Sequence, residues 1–170
     1  MNKDYETINK CRISDSKELV KVLDLGVQPL ANSLKKKQFE AEKKYPLTLS
    51  FCEKSSLLQL NETIKKEILF DKYVWVTSTS STAKNYAQTF FKNVTKDIDL
   101  DKTNDLIIEI ASNDGTFLKP FIGGGFKKVL GVDPAKNISD LANKENVKTI
   151  NDYWSEELSE QLLKTYGTAK

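Results

Sequence analysis

The 170-residue sequence contains no histidine. That excludes a histidine general base, a Ser–His–Asp triad and a histidine-ligated metal within this chain. Cysteine is scarce, and Cys11 and Cys52 alone cannot build a disulfide scaffold. Neither sign of charge dominates. Lys and Arg number 26 against 24 Asp and Glu, a formal net charge of +2. Such a balance gives no reason to expect a nucleic-acid or membrane-surface partner. No run approaches the roughly 20 apolar residues of a membrane span. Residues 1–6 lead into no apolar segment of the signal-peptide kind. A soluble, reducing, cytoplasmic setting is the expectation. What is present is enough for one ordinary domain, or a small module joined to part of a larger one. Two Trp, six Tyr and eight Phe supply core material despite 29% charged residues.

Composition changes along the chain. Residues 1–62 read as a small β-rich module. A strand is expected over 20–25, ended by Gly26, with a turn over 28–32. Residues 46–52 alternate, with Leu47, Leu49 and Phe51 on one face, and 57–60 return as the second arm of a hairpin. Residues 63–100 read as mostly helical, with one helix over 63–70 and another over 82–94. In the second, Ala83, Tyr86, Ala87, Phe90, Phe91 and Val94 recur at helical spacing, and the preceding Ser/Thr run supplies an N-cap. Lys35-Lys36-Lys37 reads as a solvated loop.

Residues 101–170 alternate strand and helix. Strands are expected over 106–111, 129–133 and 147–150. Helices are expected from Gly115 through Phe121, over 138–144, and over 155–166, where Ser155 caps and Glu156 and Glu157 fill the first turn. Such a series demands a parallel sheet with right-handed crossovers. Gly123-Gly124-Gly125 follows a helix and precedes a strand, so it reads as a helix C-cap rather than a phosphate loop. The fold class is therefore α/β: a small β-rich amino-terminal module, then a partial Rossmann-like parallel sheet with helices.

Two features of the last third carry chemistry. Glu109-Ile110-Ala111-Ser112-Asn113-Asp114-Gly115 lies at the carboxyl end of the first strand, where open parallel sheets bind ligands. Ala111, Ser112 and Gly115 are small enough to let a ligand approach the backbone. Asp133, followed by Pro134, ends the second strand, placed to accept hydrogen bonds from ribose hydroxyls. The turn is not G-x-G-x-x-G, which counts against a pyrophosphate and favours a nucleoside ligand such as S-adenosylmethionine. Asp133 would hold its ribose diol, and Glu109 and Asp114 would set negative charge near its sulfonium or amino group. The plainer alternative is a simple turn at 113–115 and an N-capping Asp133.

Cys11-Arg12-Ile13-Ser14 and Cys52-Glu53-Lys54-Ser55 share a C-x-x-S form. A structural zinc site wants C-x-x-C twice, and serine is a poor zinc ligand at neutral pH. Each serine nevertheless stands where a ligand belongs.

Together these segments resemble the sugar C-methyltransferases that use S-adenosylmethionine to methylate a ring carbon of nucleotide-linked deoxysugars. The resemblance runs in order over almost the whole chain. Cys11-Arg12 resembles the first zinc knuckle. Gly26-Val27-Gln28-Pro29-Leu30-Ala31-Asn32 resembles G-x-x-P-L-A-N. Residues 45–60, through Cys52, resemble the second knuckle and its following strand. Residues 70–80 resemble F-x-x-Y-x-Y-x-S-S-x-S, with Trp75 and Thr77 as departures. Residues 109–115 resemble E-I-G-S-N-D-G, with Ala111 in place of the glycine. Gly131-Val132-Asp133-Pro134-Ala135 matches G-V-D-P-A.

The resemblance implies an amino-terminal zinc module (1–62), a helical linker on the substrate side (63–100) and part of a methyl-donor domain (101–170). Ser14 and Ser55 replace two of four zinc ligands, leaving Cys11 and Cys52 as a degenerate metal site. Tyr73 becomes a possible sugar contact. The family's sheet continues where this chain reaches Lys170, so the implied protein is truncated, and a separate carboxyl-terminal half would complete it. The competing expectation is a non-catalytic, metal-free derivative that keeps the fold. A nucleotide-binding oxidoreductase fragment is a third, weakened by the missing phosphate glycines.

Overall fold

A computed structural model describes residues 4–170. The chain divides into two units, one ending at Leu69 and one spanning Phe70–Lys170.

The first unit contains β1 (Tyr5–Thr7), β2 (Val20–Pro29), β3 (Lys44–Cys52), β4 (Leu57–Leu60) and β5 (Glu62–Ile64), and all of α1 (Lys66–Phe70) but its last residue. β2, β3 and β4 form an antiparallel sheet in that order, and β1 pairs with β5. The expected hairpin is present, with β3 and β4 in register from Leu49 opposite Leu60 to Cys52 opposite Leu57.

Three local expectations are corrected. Gly26 does not end its strand. It takes φ +65, its N–H donates to Asp24 Oδ1 at 2.9 Å, and the register shifts between Asp24 and Val27. The glycine makes a bulge, and the strand runs on to Pro29. Residues 63–70 are not one helix, because residues 62–64 pair with β1 instead. Tertiary pairing overrides local periodicity there. On β3 the deepest residues are Ser50 and Cys52, while Leu47, Leu49 and Phe51 are half-buried. This unit packs around small polar and sulfur-bearing side chains rather than an aliphatic face.

The second unit opens with α2 (Ser81–Asp97), capped by Ser80, whose hydroxyl accepts from the Ala83 N–H. There follow β6 (Leu106–Ile110), α3 (Lys119–Gly123), β7 (Lys128–Val132), α4 (Lys136–Lys144), β8 (Thr149–Ile150) and α5 (Glu156–Tyr166). β6, β7 and β8 form one parallel sheet in that order, as the alternation of elements predicts. Leu106, Leu130, Val132, Leu158 and Leu162 form one apolar cluster, and Leu118, Ala142 and Val147 form another. Ile108 joins the first and Ile107 the second, so β6 is covered on both faces. Phe91 of α2 meets the rings of Phe121 and Phe126 edge-on at 5.0 and 6.4 Å. Residues 115–118 form turns, so the helix expected from Gly115 begins at Lys119. Gly124 is its C-cap, as expected, with its N–H on the Pro120 carbonyl at 2.8 Å.

On the free side of β6, Ala169 forms a parallel bridge to Leu106. The Lys170 N–H donates to the Leu106 carbonyl at 3.0 Å, which starts a fourth parallel position. Among the described residues, no helix is long and apolar enough to cross a membrane.

Candidate functional site

The carboxyl ends of β6 and β7 open onto a cleft of about 220 Å³, lined by Phe70, Tyr73, Ala111, Asn113, Asp133, Pro134 and Ala135. Its floor is the turn after β6. Ala111, Asn113 and Gly115 adopt φ of +57, +49 and +73, so the backbone reverses through three left-handed residues. At Gly115 only glycine fits, because a Cβ there would lie 2.5 Å from Val147 Cγ1. Ala111 adopts the same region at a steric cost of about 1–2 kcal/mol. Gly131, facing Glu109 across the β6–β7 pair, makes room for Ser112, whose Oγ a Cβ at 131 would strike.

The structure brings Asp133 to this turn. Its Oδ2 accepts from the Asn113 N–H at 2.9 Å and its Oδ1 from the Ala135 N–H at 2.9 Å. The residue is 6% exposed. The N–H groups of Ser112, Asn113, Gly115 and Thr116 all donate to protein acceptors. The turn therefore offers none of these amides as a phosphate cradle.

Glu109, at the carboxyl end of β6, does not line the cleft. Its Oε2 is buried and has no hydrogen-bond partner. Burial, reinforced by the carboxylates of Asp114 and Asp133, pushes its carboxyl up to about 8. At neutral pH such a carboxyl holds its proton, and a cation brought beside it would favour the ionised form.

Asn113 and Asp114 work in another direction. Asn113 borders the cleft, but its Oδ1 accepts from the Thr77 N–H at 2.9 Å and its Nδ2 donates to the Trp75 carbonyl at 3.1 Å. Asp114 is fully buried and absent from the lining. It accepts from the Ser78 N–H at 3.2 Å and the Thr116 hydroxyl at 2.6 Å. Burial raises its carboxyl, but bonds from Ser78 and Thr116 and the Lys119 ammonium outweigh that and hold it below the ordinary range. The two side chains fasten residues 75–78 over the turn.

Asn137 of α4 does the same for Tyr73, accepting from its N–H at 3.1 Å and donating to its carbonyl at 2.8 Å. Asp71 is held by the Lys136 N–H and the Tyr153 hydroxyl. Residues 71–78 are thus a strap pinned along the sheet's carboxyl edge, and Tyr73 reaches the cleft from it. Sequence reasoning missed Asn137, and also Asn151, whose Nδ2 donates to the Asp133 and Pro134 carbonyls at 3.0 and 2.8 Å. No spacing rule links Asn137 to Tyr73, 64 residues away.

Comparison with known proteins adds two findings. Residues 11–70 match a methyltransferase family model described as "Putative zinc binding domain". Over 165 residues, 96% of this chain, the sequence is 30% identical to the C-methyltransferase NovU of Streptomyces niveus. Along almost its whole length the chain is similar to a C-methyltransferase. It spans 39% of that relative's length.

A methyltransferase relative implies S-adenosylmethionine, and the residues present fit it. The unpartnered, buried carboxyl oxygen of Glu109 would ionise more readily beside a cationic ligand, and a turn whose Ser112, Asn113, Gly115 and Thr116 amides are all engaged suits a nucleoside without phosphates. Zinc is different. Cys11 Sγ lies 3.1 Å from Ser55 Oγ, and Cys52 Sγ 3.5 Å from Ser14 Oγ. The Ser14 hydroxyl, the Ser14 N–H and the Ser55 hydroxyl lower the Cys11 thiol to about 6. Among the described residues, no group of three or more His, Cys, Asp or Glu gathers to hold a metal. Two sulfur ligands and two hydroxyls do not fit a closed tetrahedral zinc site, because serine hydroxyls keep their protons at neutral pH.

Proposed function

We propose that the Phe70–Lys170 unit is the methyl-donor-binding part of a C-methyltransferase that acts on a nucleotide-linked deoxysugar. The observation that carries this reading is the unpartnered Glu109 Oε2 at the carboxyl end of β6, beside a cleft floored by Ala111 and walled by Asp133. In this reading Asp133 holds the ribose diol and Glu109 faces the cationic end of the donor. Ala111, Ser112 and Gly115 let the ligand approach the backbone, and Pro134 borders it. S-adenosylmethionine supplies an electrophilic methyl group when bound. The residues of this chain bind and orient by position and charge. Tyr73, carried on the strap, contacts the sugar in this reading.

The base that removes a proton from the sugar belongs, in this proposal, to a carboxyl-terminal half that extends the sheet beside β6, where Ala169 and Lys170 begin a fourth position. The isolated chain then binds donor without turning over. A second reading, a non-catalytic methyltransferase-like binding protein without metal, draws on Ser14 and Ser55 standing where thiolates are wanted.

Isothermal titration of the full chain with S-adenosylmethionine tests the binding claim, with NAD and ATP as controls. Saturable heat with the sulfonium ligand, weakened in Glu109→Gln, supports it. Heat with NAD or ATP alone sinks it.

A further inference from the structure

We propose that the first unit is built on a metal-free knuckle, in which two crossed thiol–hydroxyl pairs, Cys11 with Ser55 and Cys52 with Ser14, replace an ion as the link between two turns.

The two turns have the same plan. Each begins with a buried cysteine, places a serine three residues on, and follows it with a left-handed residue. Those residues are Asp15 at φ +55 and Ser56 at φ +56, neither a glycine. In the first turn the Asp15 N–H closes onto the Cys11 carbonyl at 3.1 Å. The Ile13 and Ser14 N–H groups lean on Cys11 Sγ at 3.5 and 3.4 Å. The knuckle geometry is thus written into the turns themselves.

The pairing is crossed. Besides the bond of the Ser14 hydroxyl to Cys11 within its own turn, two links cross between the turns. Ser55 of the second turn reaches Cys11 of the first, and Ser14 of the first reaches Cys52 of the second. Both links therefore span the turns, which is the task a tetrahedral ion performs. Both cysteines are 0% exposed and both serines half-buried, so the pairs are partly shielded from water, where such bonds count for more.

A third fastening needs no ion either. The buried Gln59 accepts from the Arg12 N–H at 3.0 Å and donates to the Lys10 carbonyl at 3.1 Å. Its amide sews the first turn to β4. Arg12 adds bonds from its guanidinium to the Leu60 carbonyl and the Thr63 hydroxyl, at 3.1 and 2.7 Å. The turn that would be loose without metal is held by its neighbours. Binding zinc would mean stripping protons from hydroxyls that keep them at neutral pH.

The test uses the full chain, expressed with added zinc and dialysed. Elemental analysis should find well under about 0.1 zinc per chain, and a strong chelator should leave the melting temperature within about 1 °C, because no folding energy comes from metal. Ser55→Ala should lower the melting temperature by about 3–6 °C through loss of one crossed pair. The double variant Ser14→Cys, Ser55→Cys should take up about one zinc per chain and become sensitive to chelator, since the frame already holds four groups around one centre. About one zinc retained by the wild-type chain, with a fall in melting temperature on chelation, overturns the proposal. A folded double variant that takes up no zinc overturns it too.

Discussion

The N–H of Asn113 donates to Asp133 Oδ2 at 2.9 Å. That bond ties the turn after the first parallel strand to the end of the second, and with Ala135 it spends one lone pair on each oxygen of the acid. The remaining lone pairs are what Asp133 has left to offer a ligand hydroxyl. The acid therefore fixes the shape of the cleft before any ligand arrives, which is how a site is organised in advance.

Glu109 should give the chain an unusual pH response. In the unfolded chain its carboxyl loses its proton near 4.5, whereas in the folded chain it keeps it to about 8. Between those values the folded state binds more protons, so this group's contribution is fully present below 4.5 and is lost as pH rises through about 8. Melting temperature measured from pH 4.5 to 8.5 should show this decline in the wild type and a flatter profile in Glu109→Gln. If the two profiles are parallel, Glu109 ionises normally.

The turn makes two opposite demands on small side chains. Gly115→Ala adds both a left-handed penalty and a clash with Val147, so unfolding in urea should show a loss of about 3 kcal/mol. Ala111→Gly relieves strain at φ +57 and should gain up to about 1 kcal/mol. Equal and opposite small changes at both positions would contradict the geometry.

Asn137 is a positioning residue. Asn137→Ala removes both bonds that hold the Tyr73 backbone, and should weaken nucleoside binding about 5- to 10-fold while lowering the melting temperature little. Asn137→Asp keeps the acceptor for the Tyr73 N–H and should recover part of that loss. A merely structural asparagine would move melting temperature and affinity together, with no recovery.

Much of this architecture was legible in the sequence. The alternation of strand and helix after residue 101 gave the parallel sheet, because each segment's period was local. The G-V-D-P segment placed Asp133 opposite the 111–115 turn for the same reason. What stayed hidden depends on distant partners. Thr63 and Ile64 look helical until β1 claims them. The Asn113 and Asp114 side chains read as ligand contacts, yet their amide and carboxylate hold residues 75–78, 36 or more positions away. The expected apolar face of β3 gave way to Ser50 and Cys52 because the first unit gathers its buried groups around sulfur.

The central claim is that the turn at 111–115 and Asp133 share one nucleoside-binding cleft. Amide chemical shifts of the labelled full chain, followed through a titration with S-adenosylhomocysteine, test it most directly. Saturable shifts concentrated at Tyr73, Ala111, Asn113, Asp133 and Ala135 are the expected result. A folded chain whose spectrum does not change, or changes only among residues 4–69, contradicts it.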